Sequence, residues 1–298
     1  MQNWIQNLEK INFGSGKYSE SYQDKLIDYV FKNISSINSP PFCIEFGYLS
    51  DSLFKDSYAN TTSLIFDQGW NHLLLDSENE NPNINLYKHF LTSDNICNIF
   101  KRYNVPSIPD YISIDIDSTD LWIFEKIVKN YKASLISVEY NCNFPLDVAI
   151  TLKNTLEFKN KNDRCFGASL KALNMVAEEN DYLLLWVVEE CDAFFIRKDL
   201  INDNTNLLTF PFDKWEKSTN VPAMSPVKDK TRLKQFIDYQ VYLNSDKNIT
   251  RSIESAQGIC EKVLLFNFYR ELRWIYRIPE KWRRNKKRIL KKLLKKNS

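Results

Sequence analysis

Apolar positions along this chain switch repeatedly between helical and strand periods. Tyr22, Leu26, Ile27, Val30 and Ile34 recur at helical spacing and predict an amphipathic helix over 20–35. Pro40-Pro41 stops it, and the short β run Phe42–Phe46 ends at Gly47. A polar stretch, Tyr48–Tyr58, leads to a helix near Thr61–Gln68, closed by Gly69. His72–Asp76 reads as a second buried strand and Ile84–Thr92 as a third. Ile96, Ile99, Phe100 and Tyr103 mark a helix, and Tyr111–Asp117 a fourth strand. Leu121, Phe124, Ile127, Val128 and Tyr131 mark the next helix, and Leu135–Tyr140 the fifth strand. Ser169 stands as the N-cap of a helix carrying Leu170, Leu173, Val176 and Ala177. Tyr182–Val188 and Ala193–Arg197 are two strands around a tight polar turn, close enough to pair antiparallel.

Strands alternating with helices over 42–197 predict an α/β fold. The expected architecture is a Rossmann-like, doubly wound, mostly parallel sheet with an antiparallel last strand. Beyond Leu200 the pattern changes. Residues 201–229 are rich in Asn, Pro and polar groups and read as a loop or wrapping arm, while 230–277 are helical by pattern. Residues 280–296 read as a basic amphipathic helix, with Ile289, Leu290, Leu293 and Leu294 against Lys and Arg. The expected organisation is a domain over 1–200, an extension over 201–277 and a basic tail over 278–298.

Composition narrows the function classes. Of 298 residues, 43% are hydrophobic and 26% charged, which supports a sizeable core and excludes wholesale disorder. The net charge of +2 is uneven: from Arg277 onward eleven Lys or Arg face one Glu, a local +10, leaving −8 for residues 1–276. An acidic body with a basic tail points to an anionic partner surface. Two histidines, His72 and His89, argue against a His-rich zinc site or a Ser-His-Asp triad. The six cysteines form no C-x-x-C pair and are expected to be reduced. No run reaches the ~18 apolar residues of a membrane span, and Met1–Lys10 lacks a signal-peptide pattern. A cytoplasmic location is expected, with the tail permitting peripheral contact with an anionic membrane.

Polar residues collect at the strand ends: Glu45, Asp76, Asp115 with Asp117, and Glu139 with Asn141. In an open α/β sheet the ligand sits beyond the carboxyl ends of the strands. Any single acid there could equally be a solvated edge or a helix cap; four acidic ends aimed at one crevice point to a site. Gly47 lets the backbone approach a ligand, and Asp76 is placed to accept from ribose hydroxyls. The chain has neither G-x-G-x-x-G nor a P-loop. A nucleotide-like ligand held without a phosphate cradle suggests S-adenosylmethionine.

Several ordered motifs carry a family resemblance. They are Tyr18-Ser19 with Gln23-Asp24, Ile44-Glu45-Phe46-Gly47, and Asn60-Thr61 with Gly69-Trp70 and Leu73–Asp76. Ile114-Asp115-Ile116-Asp117 with Asp120, Val138-Glu139-Tyr140-Asn141, Gly167-Ala168-Ser169-Leu170 and Asp192–Ile196 follow. From Tyr18 to Leu200 the chain resembles FkbM-type S-adenosylmethionine-dependent methyltransferases. The resemblance implies that Gln23 and Asp24 belong to the cofactor site, that Glu45 and Gly47 bind the methionine part, and that Asp76 binds the ribose. Ser93 or Asn95 would meet the adenine, and Asp115 and Asp117 would lie next to the sulfonium. The family's Asp-Gly after its first motif is replaced here by Tyr48–Ser52, where Asp51 is the candidate substitute.

Asp117, Glu139 and Asn141 are the candidate catalytic residues. As hard oxygen ligands on neighbouring strand ends they could also hold one Mg²⁺ that lowers the acceptor's pKa. The expected activity is O-methylation of a sugar hydroxyl on a polysaccharide or glycolipid, the acceptor following from the family alone. One alternative is a catalytically silent scaffold or membrane adaptor. Another is an RNA methyltransferase anchored by the tail; it ranks last, because no nucleic-acid-binding motif accompanies the basic run.

Overall fold

The computed structural model describes residues 4–34, 38–50, 52–53, 58–155, 158, 160–201 and 210–277. Its strands are β1 (Phe42–Phe46), β2 (Asn71–Asp76), β3 (Leu86–Lys88), β4 (Tyr111–Ile114), β5 (Leu135–Glu139), β6 (Ile150–Leu152), β7 (Tyr182–Val187), β8 (Asp192–Arg197) and β9 (Phe236–Asp238). Seven of them form one sheet in the order β3-β2-β1-β4-β5-β8-β7. Neighbours from β3 through β5 pair parallel, and β8 runs antiparallel to both β5 and β7. This is the expected Rossmann-like, doubly wound sheet with one reversed strand, the order of class I methyltransferase folds.

Helices cover both faces, so the parallel strands read as nearly continuous apolar runs. Side-chain alternation along each strand divides the core in two. Ile44 and Phe46 of β1, Ile112 and Ile114 of β4, and Ile136 and Val138 of β5 pack with Phe100, Phe124 and Leu173 from the helices Ile96–Arg102, Asp120–Asn130 and Leu170–Glu179. Cys43, Tyr111 and Leu135 point the other way, onto Leu26, Ile27 and Val30 of the helix Gln23–Asn33. Ser169 is the N-cap expected of it, its Oγ accepting from the Ala172 amide at 3.3 Å.

Four features differ from the pattern-based expectation. The third strand shrinks to Leu86–Lys88, and β4 ends at Ile114, leaving Asp115–Asp117 in a loop. The helix near 61–68 is a single π-type turn, Ser63–Asp67. A second, two-stranded sheet pairs β6 with β9, Leu152 opposite Phe236; three-residue strands are too short to show a period.

The extension packs against the sheet domain. Trp215, Val221, Ile237 and Tyr239 belong to the same core cluster as Phe124 and Ile136. Phe144, Ile150 and Leu152 pack with Phe236, Ala256, Cys260 and Leu264, the last three from the helix Ile249–Leu264. Arg164 is buried and pairs with Glu271 at 2.7 Å, tying down the helix Phe268–Arg277. The helix expected over 280–296 lies outside the described residues.

Candidate functional site

The sheet reverses its winding between β1 and β4, and their loops touch there. Gly47 has φ +74°, and a Cβ on it would stand 2.1 Å from the Asp115 carbonyl oxygen. Only glycine satisfies both constraints. Glu45, just before it, is buried and accepts from the Asn60 and Thr61 amides at 3.2 and 2.8 Å. The Asn60 side chain donates onward to Ser113 and Asp192, each at 3.1 Å, and Gln23 donates to Asp192 at 3.2 Å. Burial pushes Glu45 up to about 7 against the pull of the Thr61 and Asn60 bonds. Burial also raises Asp192, against bonds from Asn60 and Gln23.

Beyond this floor stand Asp115, Asp117 and Glu139, with one carboxylate oxygen from each within 4.8 Å of the others. Asp120 shapes the loop that presents them: its two oxygens accept from the Ile116 and Ser118 amides, each at 2.9 Å. Asp117 takes a left-handed φ of +53° in that loop. Glu139 ends β5, and its Oε2 is enclosed without a hydrogen-bond partner.

Electrostatics at this edge run one way. Burial, then the charges of Asp115, Asp117, Asp120 and Asp192, hold the Glu139 carboxyl well above its usual range. Asp115 is likewise raised well above it, first by the protein crowded around it and then by Asp117 and Asp192. Its outer side is exposed to water, which tempers the first cause. Asp117 is raised by burial against a bond from Asn160, and Asp120 to about 6 by burial against its amide bonds. Among the described residues, no lysine or arginine forms an ion pair with Glu45, Asp115, Asp117, Asp120, Glu139 or Asp192.

The other expected site residues divide. Asp76 ends β2 and is buried; its Oδ1 accepts from the Glu78 amide at 2.7 Å and from both nitrogens of Asn79. Ser93 is buried and accepts from the Asn154 side chain at 3.0 Å. Asn95 is engaged in its own loop, accepting from the Thr92 amide and donating to the Phe90 carbonyl. Asp24 holds the turn before its helix, accepting from the Lys17 and Tyr18 amides at 2.7 and 2.9 Å. Asp51 lies outside the described residues. In the departing stretch, Tyr48 is buried and its hydroxyl donates to the Ser52 carbonyl at 3.0 Å.

Asn141 is engaged within the fold. Its Nδ2 donates to the Arg164 and Phe166 carbonyls at 3.0 and 2.8 Å, and its Oδ1 accepts from both nitrogens of Asn143. The amide stitches the loop after β5 to residues 164–166, and the carboxylates gathered at this edge are Asp115, Asp117 and Glu139. Asp192 was not among the expected site residues. It begins β8 opposite Glu139, and the reversed direction of β8 brings its first residue to the edge where parallel strands end. An acid opening the last strand was the available signal.

The chemistry open to this edge is the binding of a cation and the acceptance of a proton. Neither protein-family models nor curated proteins yield a match to this chain. Among solved structures it is similar to M. capricolum TrmK, determined in complex with its natural cofactor product S-adenosyl-homocysteine. The identity is 12% over 80% of this chain and 97% of that one, with a TM-score of 0.33. Strand order and the reversed strand define the class by themselves: a Rossmann-like α/β protein of the class I methyltransferase type.

Proposed function

We propose that this chain is an S-adenosylmethionine-dependent methyltransferase acting on an oxygen, with a sugar hydroxyl of a polysaccharide or glycolipid as acceptor. One observation carries the reading: the carboxylates at the β4 and β5 ends have no cationic partner among the described residues, and Glu139 encloses an unpaired oxygen. A sulfonium is a cation of the kind this edge lacks. When bound, S-adenosylmethionine supplies an electrophilic methyl group. In this reading Asp76 would take the ribose, Ser93 the adenine, and Gly47 would allow close backbone approach to the methionine part. Glu139, or Asp117 beside it, would take the acceptor's proton as the methyl group passes from sulfur to oxygen and S-adenosylhomocysteine leaves, and alignment would supply much of the rate. The sugar acceptor rests on the motif resemblance to FkbM-type enzymes.

A second reading adds a divalent cation. Asp115, Asp117 and Glu139 are hard oxygen ligands whose carboxylate oxygens lie within 4.8 Å of one another, which fits Mg²⁺. There it would lower the acceptor's pKa. Calorimetric titration with S-adenosylhomocysteine, with and without Mg²⁺, tests both readings beside Asp76→Asn and Asp115→Asn variants. Saturable binding weakened in Asp76→Asn supports the cofactor site, and a Mg²⁺ effect lost in Asp115→Asn supports the metal. Absence of binding by folded protein overturns the enzyme reading and leaves the scaffold alternative.

A further inference from the structure

Three aromatic rings from separate parts of the chain form an open box. Trp186 stands on β7, the outermost strand of the sheet, where a slip in the β7–β8 register between Leu184 and Trp186 re-aims the side chain. Phe210 and Trp215 come from the extension. The ring centroids lie 5.3 to 6.0 Å apart, and the planes meet at 69° to 87°. Three planes so steep to one another make the corner of a box rather than a stack. Two of its walls are fixed in advance: Trp186 Nε1 donates to the Tyr22 hydroxyl at 3.1 Å, and Trp215 is 4% exposed.

The box already holds a cation. The Lys214 ammonium stands 3.1, 4.7 and 4.9 Å from the centroids of Phe210, Trp186 and Trp215. Each is inside the ~6 Å reach of a ring's negative face. The same ammonium pairs with Glu9. A lysine is a poor match for such a place, because its ammonium is compact and strongly hydrated, and ring faces do not replace the water it gives up. The hold from Glu9 is weak, since that side chain is 53% exposed. Against the box lies a cavity of about 630 Å³, whose lining includes Glu9, Phe210, Asp213 and Lys214. Ligand sites span roughly 300–1,000 Å³. Lys214 is therefore both the occupant of the box and part of the cavity wall. Asp213 forms no ion pair among the described residues.

We propose that Trp186, Phe210 and Trp215 form a binding site for a quaternary ammonium of the choline class, with Lys214 as its displaceable placeholder. Such a group spreads its charge over methyl groups and carries no N–H. It loses little hydration on entry and touches three ring faces at once. Glu9 and Asp213 supply carboxylates on the cavity side. The site shares no residue with the carboxylate edge of β4 and β5, so the inference stands apart from the proposed methyl transfer.

Calorimetric titration of the full chain with choline and with ethanolamine tests it. Choline is expected to bind, and ethanolamine, which keeps its N–H groups, to bind about tenfold more weakly. Lys214→Ala empties the box and tightens choline binding by about fivefold. Phe210→Leu removes the nearest ring and weakens it by about tenfold, whereas Phe210→Tyr keeps the ring and binds like the parent. Circular dichroism verifies that each variant is folded. No choline binding by the parent makes Lys214 a permanent internal latch and overturns the inference. Equal affinities for choline and ethanolamine, or a Phe210→Leu chain that binds like the parent, overturn it as well. Flotation with phosphatidylcholine vesicles separates the two sources of the group. Recovery that free choline competes away assigns a lipid headgroup, and no recovery assigns a free solute; both bear out the same chemistry.

Discussion

Two regions of this molecule enclose charge, and they do it in opposite ways. Behind the terminal helix, Arg164 is 1% exposed and Glu271 7%, and each answers the other at 2.7 Å. Arg232 and Asp163 pair close by. At the carboxyl edge of β1, β4 and β5, six acids stand together and form no ion pair among the described residues. The first arrangement holds the extension in place. The second works against the fold, since enclosed like charges raise one another's pKa and destabilise the ionised state. A group of acids assembled at such a cost is the observation on which the proposed cation-binding site rests.

Removing one group from each region separates them. Glu139→Gln is expected to lower methyl transfer by about 10²–10⁴-fold, the usual contribution of a general base. The same change relieves repulsion, so the free protein's denaturation midpoint stays level or rises. A lower midpoint with activity retained would make Glu139 a structural residue. Glu271→Ala should do the reverse, costing about 3–5 kcal/mol by leaving Arg164 buried and unpaired. Urea denaturation reads this loss, and a cost near zero would remove the contrast.

The pH dependence of stability is the next largest effect. In the folded protein Glu45 titrates near 7 and Asp120 near 6, above the usual unfolded carboxyl range of roughly 4. The native state then holds more protons than the unfolded one across that window. The stability from these groups is complete below it and is lost as pH rises through 6 and 7. For Glu45 alone the loss is on the order of 3 kcal/mol. Thermal midpoints of the free protein measured from about pH 5 to about pH 8 should fall, and S-adenosylmethionine should flatten the slope more than S-adenosylhomocysteine, which lacks the sulfonium charge. A midpoint that rises with pH would refute the enclosed-acid description. The smallest effect is the control: Lys129→Ala breaks an exposed pair with Glu125 and should cost no more than about 0.5 kcal/mol.

Much of the fold was legible from the chain, because apolar period and strand-end polarity are local properties. β1, β2, β5, β7 and β8 fall where the apolar runs predict them, within a residue or two, and β4 begins where predicted but stops short of its acids. Glu45, Asp76, Asp115, Asp117 and Glu139 follow from those ends, and Gly47 from the close approach its position demands. The small sheet was not legible, because Ile150–Leu152 and Phe236–Asp238 are each too short to display a period and acquire their pairing from partners more than eighty residues away.

By itself, then, the sequence determined the order of strands and helices, the acidic ends that share one edge, and the basic charge gathered at the C-terminus. Tertiary structure alone decided which acids meet. Reversal of β8 brought Asp192 under the site, and the departure of the chain at Ile114 brought Asp115 and Asp117 toward Glu139. Packing also withdrew Asn141, whose amide is spent on carbonyls 23 and 25 residues further along. The reason is physical: periodicity records which face of an element is buried, whereas strand direction and hydrogen-bond partners depend on groups far apart in the chain.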